Sequence, residues 1–229
     1  MNIIYDGPED GPLCVFAHGA GAPMDSDFME TFTKGLAGRG VRVARFEFPY
    51  MQERRDSGKK RPPNRQPELI ACFDQVLELL GQPAVLIGKS MGGRMASILA
   101  SSFLPAGSEA KDPINGFIKG VCAIGYPFHP QGKPEKLRIE HLSDIDVPMS
   151  VIQGTRDALG KKESVQDLFN DKRLPLSMSM LWLEDGDHDL KPRKKSGLTH
   201  QQHINEAIEY CASFIKFCFS ADKAQKNSK

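Results

Sequence analysis

Gly88-Lys89-Ser90-Met91-Gly92 sets a serine hydroxyl between two glycines, after the apolar run 83–87 and before the helix-like stretch 93–100. A chain that reverses this sharply between strand and helix holds the serine at a strained backbone angle. A side chain at Gly88 or Gly92 would meet the neighbouring turn. The chemistry on offer is nucleophilic: the hydroxyl stands clear at the carboxyl edge of a sheet, and the positive end of the following helix faces charge that develops there. Gly-Lys-Ser is also the ending of a phosphate-binding loop, but that loop needs a glycine where this chain has Pro83, which has no N–H to offer a phosphate.

A serine hydroxyl is a poor nucleophile at neutral pH. It needs a base to take its proton and a carboxylate to orient that base. In the arrangement such a turn implies, the partners follow in the chain order serine, acid, histidine, on loops after later strands. Asp157, in Gly154-Thr155-Arg156-Asp157-Ala158-Leu159-Gly160, leaves the apolar run 149–153. Its competing role is an N-cap for the helix that begins near Lys161. Asp144 and Asp146 precede the same run and fall at its wrong end. His188, in Glu184-Asp185-Gly186-Asp187-His188-Asp189-Leu190, leaves the last apolar run, 178–183. His18, His129, His141, His200 and His203 lack the combination of chain order and sheet edge. An oxyanion also needs two backbone N–H donors about 3 Å away. Met91, directly after the serine, is one candidate; Ala20, in the small-residue turn His18-Gly19-Ala20-Gly21-Ala22, is the other.

The elements that must position these residues alternate along the chain. Apolar runs at 13–17, 41–46, 84–87, 120–124, 149–153 and 178–183 lack strict alternation, as strands buried on both faces do. Between them lie helical patterns at 25–37, 67–80, 91–103, 161–170 and 200–220. In 67–80, Leu69, Ile70, Phe73, Val76, Leu77 and Leu80 form one apolar stripe that ends at Gly81. The fold class is therefore α/β: a mostly parallel sheet of about six strands, helices on both faces and no large cap domain. Residues 1–220 read as one domain and 221–229 as a polar, disordered tail. Two long polar segments, 50–66 and 191–199, follow strands and should hang over the edge that carries Ser90.

Bulk composition excludes several alternatives. The 229 residues are 40% hydrophobic and 26% charged, ordinary for a soluble globular chain, and a net charge of +1 argues against a nucleic-acid partner. No run approaches the roughly 20 apolar residues of a membrane span, and residues 1–10 do not resemble a signal peptide. Five cysteines without a C-x-x-C pair read as buried hydrophobes in a reducing compartment, so the expected location is cytoplasmic. No metal or cofactor is implied.

With these residues in place the chain resembles an α/β-hydrolase. More narrowly it looks like the small cap-less branch called dienelactone-hydrolase-like, related to the hydrolase-like domain of a chromatin acetyltransferase-complex subunit. The resemblance is carried by His18-Gly19-Ala20-Gly21-Ala22, Phe48-Pro49-Tyr50-Met51, Gly88 through Arg94, Gly125-Tyr126-Pro127, Gln153 through Asp157 and Gly186 through Leu190. It implies a triad of Ser90, Asp157 and His188. Relatives resembling dienelactone hydrolases themselves often have a cysteine where this chain has Ser90.

The expected activity is hydrolysis of a carboxylic ester or thioester through an acyl-enzyme, with a small-molecule substrate and no cofactor. The alternative is a catalytically silent interaction domain. Met24, Tyr50, Met51, Tyr126 and Phe128 are candidate walls of the substrate cleft. Arg54, Arg55, Lys59, Lys60, Arg61 and Arg65 in one long loop, and Lys191, Arg193, Lys194 and Lys195 in the other, suggest an anionic substrate or acyl carrier.

Overall fold

The apolar runs pair side by side. The computed structural model describes residues 1–101 and 117–226. Among these the strands are β1 (Ile3–Asp6), β2 (Leu13–Ala17), β3 (Arg42–Phe46), β4 (Ala84–Lys89), β5 (Ile118–Ile124), β6 (Met149–Gly154) and β7 (Ser179–Leu183). They form one sheet in the order β1-β3-β2-β4-β5-β6-β7. β1 lies antiparallel to β3, and every other pairing is parallel. The chain winds outward in both directions from β2 and β4, so the loops after these two neighbours meet at the carboxyl edge where the winding reverses. Open α/β sheets bind their ligands there.

The helices are α1 (Asp27–Ala37), α2 (Pro49–Ser57), α3 (Gln66–Leu80), α4 (Met91–Ser101), α5 (Lys162–Asn170) and α6 (His200–Lys226). Alternate side chains of each buried strand point to opposite faces. Val15, Leu86, Val121 and Val151 pack with Phe73 and Leu77 of α3 and Met95 and Leu99 of α4. Phe16, Val85, Ile87 and Ile152 pack with Phe32 of α1 and Ile204, Ile208 and Ile215 of α6. The strands thus face apolar neighbours on both sides, which is why their sequences run apolar without alternation.

Cys14, Cys122, Cys211 and Cys218 belong to the second core and Cys72 to the first; all five are free and buried. Burial pushes the Cys72 thiol up to about 11 and that of Cys218 to about 12, so neither forms a thiolate readily near neutrality.

Three features depart from the sequence expectation. β1 adds an antiparallel edge strand; its four residues are too few to show a period. α2 forms inside the segment expected to be a loop. Pro49 starts it, Tyr50 and Met51 turn into the core, and Gly58 closes it in the left-handed conformation at φ 66°. α6 continues past Ser220 to Lys226, because Ala221, Lys223, Ala224, Gln225 and Lys226 are strong helix formers with no breaker among them. Residues 102 and 103 of the expected 91–103 helix, and 227–229 of the expected tail, lie outside the described residues. Among the described residues no cap domain covers the carboxyl edge, and no helix is long and apolar enough to cross a membrane.

Candidate active site

Ser90 leaves β4 with φ 52°, a left-handed conformation that an L-residue adopts at a cost of about 1–2 kcal/mol. Its N–H donates to Ile124 O at 2.8 Å, which fixes the turn against β5. A Cβ on Gly88 would stand 2.1 Å from the Gly92 carbonyl carbon, and one on Gly92 would stand 2.5 Å from Ala17 O. Both glycines are sterically required.

The structure brings Ser90, His188 and Asp157 together. His188 Nε2 lies 2.8 Å from Ser90 Oγ, and His188 Nδ1 lies 2.8 Å from Asp157 Oδ2. As a carboxylate Asp157 can only accept, so Nδ1 carries the proton, and Nε2 of the neutral ring is left to accept from the serine hydroxyl. Asp157 is wholly buried. Its Oδ1 accepts the Leu159 N–H at 2.8 Å and its Oδ2 accepts Gln153 Nε2 at 2.8 Å. Gln153 is itself locked, because its Oε1 accepts the Tyr126 N–H at 2.8 Å. The sequence reading did not assign Gln153 a role. The available signal was an amide at the end of β6, four residues before the acid, where a both-face-buried strand favours an apolar residue.

Lys89 is a second residue that sequence reasoning passed over. Its Nζ donates to the His188 carbonyl at 2.7 Å and pairs with Asp189 at 3.3 Å, 5.8 Å from the centre of the Phe28 ring. Burial lowers the Lys89 pKa from its ordinary value, and Asp189 opposes that shift. The ammonium ties the end of β4 to the loop that carries His188. Asp185 holds the same loop from the far side. The Arg193 guanidinium beside it keeps its carboxyl well below the usual range, and its N–H donates to Thr155 Oγ1 at 2.8 Å.

The turn after β2 is oriented from behind. The Phe48 N–H donates to His18 Nε2 at 3.1 Å, so the proton of the neutral ring sits on Nδ1, which donates to Gly19 O at 2.7 Å. Burial lowers the His18 pKa and keeps the ring neutral. The Tyr50 hydroxyl donates to Ala20 O at 3.0 Å and lies 3.3 Å from Gly19 O. In a trans peptide the N–H points opposite to the carbonyl. Drawing the Gly19 carbonyl back toward His18 and Tyr50 therefore turns the Ala20 N–H the other way. Met91 opens α4, where a first-turn N–H has no acceptor inside its own helix.

A cavity of about 400 Å³ opens on Ser90 and His188, lined also by Gly19 to Ala22, Phe28, Met29, Lys89 and Asp189. The expected walls are not among its lining. Met24, Tyr50, Met51, Tyr126 and Phe128 are each at most 3% exposed. Tyr126 donates its hydroxyl to Arg138 O at 2.8 Å and packs edge-on against Phe128, which lines a separate cavity of about 310 Å³. The large apolar side chains around the rim gain more by sealing the sheet end than by facing solvent.

The loop cations are also absent from this lining. Arg55 pairs with Glu47 and Asp25, Arg61 with Glu53 and Arg193 with Asp185, while Arg54 donates to Arg61 O. Lys59, Lys60, Arg65, Lys191, Lys194 and Lys195 are exposed. A larger cavity of about 710 Å³, beside Arg156 and the start of α5, has none of Ser90, His188 or Asp157 in its lining.

Comparison with known proteins agrees with this architecture. A Butyrivibrio proteoclasticus protein described as Est1E with bound ferulic acid superposes with a TM-score of 0.67 at 12% identity, over 96% of this chain and 95% of that one. A Paleococcus ferrophilus monoacylglycerol lipase gives 0.62 at 16% identity, over 91% and 98%. A Xanthomonas campestris protein described as an a/b serine hydrolase without lid gives 0.60 at 15% identity, over 96% and 88%. At these identities the likeness concerns the fold. The family model for the alpha/beta hydrolase domain matches residues 10–216, nearly the whole chain, and the protein belongs to that family.

Proposed function

We propose that the protein is a serine hydrolase that cleaves a carboxylic ester or thioester through an acyl-enzyme. Ser90 Oγ attacks the acyl carbon while His188 Nε2 takes its proton; Asp157 holds the ring and balances the imidazolium. The N–H groups of Met91 and Ala20 receive the oxyanion. His188 then gives its proton to the leaving group, and a water repeats the sequence to release the acid. The observation that carries this reading is the unbroken pair of 2.8 Å contacts from Ser90 through His188 to Asp157, beside an open cavity.

The motif resemblance to the dienelactone-hydrolase-like branch supports the same reading, with serine chemistry in place of cysteine. Five free thiols fit a reducing, cytoplasmic setting. Arg54, Arg55, Arg61 and Arg193 are engaged within the protein and none of the loop cations lines the cavity at Ser90, so the reading needs no charged substrate. Ionic strength should change turnover of neutral and anionic esters to the same extent, and a selective loss with the anionic ester at high salt would restore that preference.

A fluorophosphonate probe tests the mechanism. It should label the wild-type chain and not Ser90→Ala, and Ser90→Ala should lower ester turnover by about 10⁴-fold or more with its melting temperature retained. An unlabelled wild-type chain would instead favour an interaction domain on the same fold.

A further inference from the structure

The cavity of about 400 Å³ at Ser90 lies at the small end of the range that holds a small-molecule ligand. Its polar lining is largely engaged elsewhere. The Lys89 ammonium donates to the His188 carbonyl and pairs with Asp189, and the Lys89 side chain is only 10% exposed. The Asp189 carboxylate is exposed and would repel an anion. The Ser26 hydroxyl is buried, and the Gly19 and Ala20 carbonyls accept from His18 and Tyr50. Ser90 and His188 carry the reaction. What the described lining offers the rest of a substrate is apolar: Ala20, Ala22 and the ring of Phe28, with Met29 almost wholly buried.

Phe28 also lines a neighbouring cavity of about 580 Å³, whose wall adds Asp27, Thr31, His200, Gln201 and Ile204. The residues common to both cavities are Ala22, Ser26, Phe28 and Asp189, and among these four Phe28 is the largest. Its ring is half-buried. It stacks on the buried Phe32 with centroids 5.6 Å apart and planes at 25°, and Lys89 Nζ stands 5.8 Å from its centre. The ring is thus held in place by its neighbours, yet it stays accessible where the two cavities meet. On the Ser90 side of Phe28 the free wall is apolar; beyond it, polar side chains predominate.

Resting on the hydrolase reading, we infer that the substrate carries an uncharged apolar chain on its ester, and that Phe28 is the specificity-determining residue against which this chain ends. The chain belongs to the acyl or to the alkoxy part, since both leave the reacting carbon beside Ser90. Each methylene buried before Phe28 exchanges water for apolar wall, and each one beyond it meets polar groups and solvent.

Two ester series test the inference: methyl esters from acetate to octanoate, and acetates from methyl to octyl. For the wild-type chain, kcat/KM should climb about 4-fold per methylene and then level off. Phe28→Ala should move that break about three carbons outward and Phe28→Leu by less, while Phe28→Trp should move it inward. The series whose break moves identifies the chain that meets Phe28. Losing the ring beside Lys89 would change the rate for every ester by one common factor, so the readout is the position of the break and not the absolute rate. A merely structural role for Phe28 leaves that position where it was. Phe28→Leu keeps an apolar contact on Phe32, and with the wild-type break it preserves the test if Phe28→Ala misfolds. A break in neither series, or one at the same length in wild type and in folded Phe28→Leu and Phe28→Trp, would overturn the inference. Where the fluorophosphonate probe still labels Ser90, the hydrolase reading survives that result. Where it does not, both fall together.

Discussion

Gln153 has more to do than any polar residue flagged by sequence pattern alone. Its amide spans Asp157 and the main chain of Tyr126, so the acid is positioned by a side chain that never reaches the cavity. Gln153→Met preserves approximate volume but leaves the Tyr126 N–H unpaired and removes one donor from a buried carboxylate. Stability should fall by about 1–3 kcal/mol, read from the urea midpoint. Ester turnover should fall about 10- to 100-fold in kcat with little change in KM, because the loss concerns orientation of His188 rather than substrate contact. Unchanged kcat would mean that Leu159 N–H and His188 suffice to hold the acid. That Ser90, Asp157 and His188 meet at one edge was expected because each sits next to a signal with a local cause: paired glycines at the serine, and apolar runs ending just before the other two. Gln153 and Lys89 lacked such a signal, since their partners lie on other segments.

The turns after β2, β4, β6 and β7 build the site, and a buried ammonium ties the second of them to the last. Lys89 closes β4 and holds the His188 carbonyl 99 residues away. Lys89→Met keeps the aliphatic stem in its buried slot and removes only the bridge. We expect the His188 loop to loosen, with kcat reduced about 10-fold or more and hydrogen exchange faster across 184–193. Exchange equal to wild type with kcat unchanged would show that the Asp185–Arg193 pair alone fixes the loop. α2 makes the complementary point. Its segment is rich in charge and reads as solvent-facing, yet Pro49 and Gly58 delimit a helix whose first turn puts the Tyr50 hydroxyl on the Gly19 and Ala20 carbonyls. Tyr50 was expected on the substrate wall; its hydroxyl holds the Gly19 and Ala20 carbonyls from behind instead. Such a correction needs the rotation of a helix relative to a loop, which no period in a nine-residue stretch specifies.

For the molecule as a whole, burial of neutral histidines makes stability depend on pH. His141 contacts Ser97 Oγ at 2.8 Å; burial, then the nearby Arg94 guanidinium, lower its pKa to about 4. An unfolded histidine titrates near 6.5. As pH falls the unfolded chain takes up this proton first, so the contribution is complete above about 6.5 and is lost progressively down to about 4. His18, whose pKa is also lowered by burial, adds a loss of the same sign. Urea midpoints measured from pH 7 down to about 4 should decline more steeply for wild type than for His141→Gln, and parallel declines would remove His141 from the account. By itself the sequence determined the strand-to-helix turn at Ser90, the mostly parallel α/β class and the strand ends after which Ser90, Asp157 and His188 fall, because these follow from local sterics and from burial on both faces of a strand. Tertiary structure alone decided that His188 reaches Ser90 across 98 residues, that the rim aromatics seal the core and that Arg55, Arg61 and Arg193 pair with carboxylates. Those outcomes depend on which distant groups compete for the same space and charge, and that competition exists only once the chain is folded.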